Sequence, residues 1–282
     1  MAASFAPGDA STITGLGFDA TASPPWLSLP FPGGTKKVML TGGNGLSLNV
    51  SKTGTVTFKE LSPTAAGDRL IEIIPTNPGT VRLEATGAGT ATIEITVKSQ
   101  KRLATFIHFV WDKSRRTSNR GLTEALQAIE VANKLLVPQV NVMMFRRDSG
   151  GFSLSLDLPN GVPAGDASVE SLLFSRLDPQ SDYNIFFVQQ VWDPQYKAVT
   201  VAYSPVDSNG RVLNCCIMPN IAGGQELAHE LGHFLLNGYP SLDPTGHPKG
   251  APRSNLMTAV PNTYSLLIPK QQANFMNSSG YP

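Results

Sequence analysis

The hydrophobic pattern changes near residue 100, and that change constrains the fold more than any other feature of the chain. From about 36 to 98, short stretches such as KKVMLT, LSLNVS, TVTFKEL, RLIEIIP, TVRLEAT and ATIEITV alternate polar and apolar residues, with Gly, Asn, Pro or Ser between them. In TIEITV, Ile93, Ile95 and Val97 share one face while Thr92, Glu94 and Thr96 share the other. That period of two belongs to a strand with one buried and one wet face, and a series of such strands predicts an antiparallel sandwich. After SQKR (99–102) the texture differs. LATFIHFVW (103–111) is almost unbroken apolar sequence, as in a strand covered on both faces. Leu122, Leu126, Ile129, Ala132 and Leu136 then recur at helical spacing, Pro138 ends the element, and VNVMMF follows as a second strand. Strand, helix and strand in this order open a βαβ unit.

The chain therefore reads as an extended lead-in over 1–33, rich in Ser, Thr, Gly and Pro, an all-β domain over 34–99, and a mixed α/β domain over 100–282. The stretch NPGTVRLEATGAGTATIEITV resembles the end of a bacterial immunoglobulin-like domain, which implies an immunoglobulin-like sandwich for the first domain. Within the second, a short helix is expected near SVESLLFSRL (168–177), then strands in YNIFFVQQVW, KAVTVAYS and RVLNCCIMP, one strong helix after Gly223-Gly224, and an irregular tail.

Charge and composition narrow the function classes. Lys plus Arg is 22 and Asp plus Glu is 21, with 7 basic and 7 acidic residues up to residue 99 and 15 and 14 beyond it, so neither part carries the basic surplus of a nucleic-acid or anionic-membrane binder. Lys113, Arg115, Arg116 and Arg120 read as a solvated loop and helix start. No apolar run approaches a membrane span, and no secretory signal is visible at MAASFAPGDASTITG. Cys215 and Cys216 are adjacent, too close for a relaxed disulfide, and read as free thiols. His108, inside FIHFVW, reads as a hydrogen-bonded strand histidine.

The chemistry concentrates in GGQELAHELGHFLLNG. His229 and His233 are four residues apart, so on a helix they lie about 40° apart on one face, roughly 6 Å along the axis, and can ligate one metal ion. Leu227, Leu231, Phe234 and Leu235 form the opposite, core-facing stripe, and Glu230 sits beside the ligands where a base for metal-activated water belongs. With 4 His and 9 Glu in 282 residues, chance supplies roughly 0.002 such matches. A third ligand follows by elimination. The only acidic residue after Glu230 is Asp243, so the candidates are His247 and Asp243. A neutral imidazole suits zinc and Asp243 lies in LDPTG, which reads as a turn; both considerations favour His247.

With SNLMT at 254–258, the sequence resembles the metzincin clan of zinc metallopeptidases, in which an HExxHxxGxxH helix is followed by a turn bearing a Met beneath the metal ligands. HELGH matches directly and Met257 resembles the Met of that turn. The chain departs from the clan pattern at Leu236 and Tyr239, where the pattern has Gly and the third His; the insertion YPSLDPT delays His247. The resemblance implies a metzincin-like catalytic domain over 100–282 that binds Zn²⁺ through His229, His233 and His247. It further implies Glu230 as general base, a Tyr stabilising the oxyanion, and an extended protein or peptide substrate paired to the strand around KAVTVAYS. Tyr264 is the candidate by position, with Tyr239 as the alternative. The expected activity is that of a zinc endopeptidase acting outside the producing cell. The alternatives are a binding or adhesion module with a structural or degenerate metal site, and hydrolysis of a non-peptide amide. An inhibitor or immunity partner is not identified by the sequence.

Overall fold

A computed structural model describes residues 2–8, 16–61, 67–194, 198–200, 202–243, 245–259 and 265–278. The described residues are rich in β-sheet and contain four helices. The chain divides into two compact units. One comprises Met1–Lys101, Leu136–Asn141 and Leu266–Ser278, the other Arg102–Leu135, Val142–Ser265 and Ser279–Pro282. Leu136–Asn141 and Leu266–Ser278 thus belong to the first unit although they fall in the 100–282 span.

The first unit holds β1 (Ser4–Pro7), β2 (Phe18–Asp19), β3 (Trp26–Phe31), β4 (Lys36–Thr41), β5 (Ser47–Val50), β6 (Val56–Glu60), β7 (Arg69–Pro75), β8 (Gly79–Thr86) and β9 (Thr90–Ser99). They form two sheets, ordered β1-β4-β7-β6 and β2-β3-β9-β8-β5. The alternation read from the sequence becomes one shared core. Val38, Leu40, Ile71 and Ile73 from the first sheet meet Leu27, Leu29, Leu83, Ile93 and Ile95 from the second, all almost fully buried. Burying a Leu or Ile side chain contributes about 1.5–3 kcal/mol, so this cluster is the main support of the unit.

The segment 1–33, expected as a lead-in, instead contributes three strands, and β3 is an interior one. It lies between β2 and β9, parallel to β9, with Trp26 fully buried. Its prolines hid it. Pro30 cannot donate to a ladder, but β2 pairs only with Trp26 and Leu27, so Pro30 lies past the end of β2, where one side of β3 is an edge. The tail, expected to be irregular, contains a helix at Lys270–Ser278. In this unit Gln139 holds the segment before that helix, its Nε2 donating to the Leu266 carbonyl (2.9 Å) and its Oε1 accepting from the Ile268 N–H (2.7 Å).

The second unit is built on β10 (Lys101–Trp111, all but its first residue), α1 (Leu122–Val140) up to Leu135, β11 (Val142–Ser153), β12 (Val162–Pro163), α2 (Ala167–Phe174), β13 (Tyr183–Phe187), β14 (Val191–Asp193), β15 (Ala198–Thr200), β16 (Cys215–Met218) and α3 (Gly224–Leu235), while the end of α1 and the tail helix α4 (Lys270–Ser278) fall in the first unit. The main sheet has the order β11-β10-β13-β16, with β13 parallel to both β10 and β16. Every residue of β13 and β16 is buried, which is why these stretches are apolar without alternation. His108 Nε2 donates to Asn184 Oδ1 at 3.0 Å and the ring stacks on Phe186, so it belongs to the sheet interior. Cys215 and Cys216 are free and buried. Among the described residues no helix is long and apolar enough to cross a membrane.

Candidate metal centre

Helix α3 starts at a point fixed by one glycine. A Cβ at Gly224 would lie 2.4 Å from Val131 Cβ and 2.6 Å from the Ala128 carbonyl, so only glycine lets α3 begin this close to α1. Gly223 precedes the helix, and the Glu226 carboxylate accepts its N–H at 2.7 Å, satisfying one of the donors left free at a helix start. Leu227, Ala228, Leu231 and Leu235 bury the core face, and α3 packs on β16. The chain turns away through Gly238 at φ +80°.

The opposite face carries His229, Glu230 and His233 into a cleft of about 440 Å³, which is also lined by Ala202, Ser204, Val206 and the segment Thr245–His247. His229, His233 and His247 each offer one ring nitrogen, and these three atoms lie within 4.8 Å of one another. The group can bind a metal ion.

Hydrogen bonding decides which nitrogens are offered. His229 Nδ1 lies 2.7 Å from the Leu256 carbonyl, and His233 Nδ1 lies 3.1 Å from the Gly246 carbonyl. A carbonyl only accepts, so each Nδ1 carries the proton and, in a neutral ring, each Nε2 is bare. The two Nε2 atoms stand 3.1 Å apart. Burial, with the neighbouring His229 and His247, pushes His233 down to about 3, so at neutral pH its ring is uncharged. Two bare lone pairs facing each other at this distance repel, and a cation shared between them removes the repulsion. The donor set therefore fits a metal ion, with nitrogen ligands backed by hydrogen-bonded second partners.

His247 enters from a loop whose neck is closed by the Leu242–Pro248 bridge. Asp243, the alternative ligand, is turned into that loop: its Oδ1 accepts the Thr245 N–H (2.9 Å), the Thr245 hydroxyl (2.6 Å) and the His247 N–H (3.0 Å). It is not part of the metal-competent group. Gly246, at φ +81°, aims its carbonyl at His233, so one loop supplies both a ligand and the partner of another ligand.

Met257 is fully buried in a turn where Asn255 Oδ1 accepts the Met257 N–H at 2.9 Å. The same turn presents the Leu256 carbonyl to His229. Glu230 is buried, and burial raises its carboxyl above the usual range, opposed by His229 and by a hydrogen bond from Ser204. Ser204 Oγ donates to Glu230 Oε2 at 2.6 Å. Tyr203 lines the cleft, but its hydroxyl donates to Glu170 Oε1 at 2.9 Å. Tyr239 is not among the residues lining the cleft, and Tyr264 lies outside the described residues. Ser204, Gly246 and the Leu256 carbonyl were not anticipated from the sequence. Only the turn-forming residues around Gly246 gave any signal there.

No family model matches the chain, and no curated protein matches it. Among solved structures it is similar to a chain in the "Structure of a chaperone-substrate complex", at 14% identity over 92% of this chain and 44% of that one, with a TM-score of 0.34. The chain therefore spans less than half the length of that match.

Proposed function

We propose that the chain is a zinc-dependent endopeptidase of metzincin type, with His229, His233 and His247 holding the metal and Glu230 as general base. The observation that carries this reading is the convergence of three imidazole nitrogens beside a buried carboxylate that opens into the same cleft. The Nε2 atoms of His229 and His233 stand 3.1 Å apart, close enough for one ion to be shared between them, and His247 would be the third residue holding it.

Bound there, zinc supplies Lewis-acid polarisation of the scissile carbonyl and of the attacking water. The rest falls to the side chains. Ser204 occupies Oε2 of Glu230, which leaves Oε1 to take the proton from the water and pass it to the departing amine nitrogen. Burial holds the Glu230 carboxyl above its ordinary range, which suits a group that must both accept and return a proton near neutral pH. The Leu256 and Gly246 carbonyls keep His229 and His233 in the tautomer that faces the metal. On the same reading the first unit, with its two sheets on one core, is an immunoglobulin-like domain, and the substrates are proteins or peptides met outside the producing cell.

The test compares wild type with Glu230→Gln for zinc content and for cleavage of casein and a peptide library. Both proteins should bind one zinc, and only wild type should cleave, with the variant reduced by at least about 100-fold. A variant that cleaves normally overturns the role of Glu230. Zinc-loaded wild type that cleaves nothing overturns the peptidase reading in favour of a binding module.

A further inference from the structure

Two of the three imidazoles are anchored by backbone carbonyls, which no side-chain substitution removes. His247 is different. Its Nδ1 lies 2.7 Å from Thr245 Oγ1, and Thr245 Oγ1 lies 2.6 Å from Asp243 Oδ1. Proton counting settles the direction. An ionised carboxylate only accepts, so the single hydroxyl proton of Thr245 goes to Asp243. The hydroxyl oxygen then faces His247 with a lone pair, and His247 Nδ1 must supply the N–H. That leaves Nε2 bare, as in the other two rings. The carboxylate is itself fixed by the backbone N–H groups of Thr245 and His247, and the loop closes through Asp243 N to the His247 carbonyl (2.7 Å).

Resting on the three-histidine metal site proposed above, we infer that Thr245 and Asp243 are positioning residues for the metal, a hydroxyl-relayed carboxylate–histidine pair that fixes the tautomer and orientation of His247. Outer partners of ligating histidines typically set metal affinity by about 10- to 100-fold. Here that control is vested in two side chains of one short loop, neither of which touches the metal. The relay also accounts for a third ligand carried on a loop: without a helix to orient the ring, the loop must orient it by its own hydrogen bonds.

The experiment is titration of the full chain with Co²⁺, read by visible absorption, and with Zn²⁺, read by chelator competition. It uses wild type, Thr245→Val, Thr245→Ser, Asp243→Asn and His247→Ala, with melting of each metal-free protein alongside. Thr245→Val should lose about 10- to 100-fold in affinity while its metal-free melting temperature stays at the wild-type value; Thr245→Ser should bind within about threefold of wild type. Asp243→Asn should also weaken binding, because the relayed charge is gone. Wild-type affinity in Thr245→Val overturns the relay, as does a loss matched by an equal fall in metal-free stability, which would make the residue structural. Should Thr245→Val not fold, unchanged affinity in Asp243→Asn overturns it. Wild type that takes up no metal, or His247→Ala that binds as wild type does, overturns the three-histidine site itself, a result separate from failure of the relay alone.

Discussion

Ser204→Ala removes one oxygen and tests how much of the chemistry depends on holding Glu230 still. In the structure Ser204 Oγ donates to Glu230 Oε2 at 2.6 Å and lies 3.1 Å from the Glu230 carbonyl, pinning the carboxylate to the wall of the cleft. A hydrogen bond to a charged group contributes about 1.5–3 kcal/mol. If that energy serves to orient the base, its loss raises the barrier by a similar amount, equivalent to about 10- to 150-fold in kcat. The assay is steady-state cleavage of a quenched fluorescent peptide by zinc-loaded wild type, Ser204→Ala and Ser204→Thr. The expected pattern is a fall in kcat with KM nearly unchanged, recovery in the threonine variant, and identical zinc content in all three. A kcat within twofold of wild type refutes the reasoning. So does a change confined to KM, which would make Ser204 a substrate contact.

Gly246→Ala should damage the metal site through the backbone: left-handed φ costs a non-glycine residue about 1–2 kcal/mol, and the new Cβ would sit 3.3 Å from His233 Nδ1. Calorimetric titration should show zinc affinity reduced by about tenfold, and unchanged affinity would refute it. A second expectation concerns pH and the first unit. Burial lowers the Lys36 amine from 10.5 to about 7, and its Nζ donates to the Leu16 and Pro138 carbonyls at 2.6 and 2.7 Å. Above pH 7 the unfolded chain holds the extra proton, so the Lys36 contribution to stability rises with pH, by at most about 1.4 kcal/mol per unit. Urea unfolding at pH 7, 8 and 9 should therefore show wild type gaining on Lys36→Met as pH rises; parallel curves would refute the burial argument.

How much of this could be read in advance depended on whether the information was local. His229, Glu230 and His233 are legible because helical period alone places them, and the opposite apolar stripe fixes which way they face. His247 could be reached only by elimination, since its position depends on a loop. The carbonyls that orient the rings could not be read at all, because every residue has one and only the fold selects Leu256 and Gly246. Ser204 meets Glu230 from 26 positions earlier in the chain and carries no pattern. The strand β3 was hidden by Pro30, whose effect depends on the length of its neighbour β2. Helix α4 was hidden by its composition, with apolar residues confined to Ala273, Phe275 and Met276 in a polar run. In β4 to β9, by contrast, strict alternation carried through to the shared core.

The bridge between Leu242 and Pro248 gives the His247 loop a closed neck, and inside it the Asp243 carboxylate ties the turn to itself. The conformation of the turn that carries the imidazole is thereby set by its own contacts. Segment 237–241 is itself anchored, Asn237 exchanging two hydrogen bonds with the Val212 backbone and the Ser241 carbonyl accepting the Lys249 N–H at 2.9 Å. The turn is also a self-contained part, suited to grafting a third nitrogen donor onto helices that already present two.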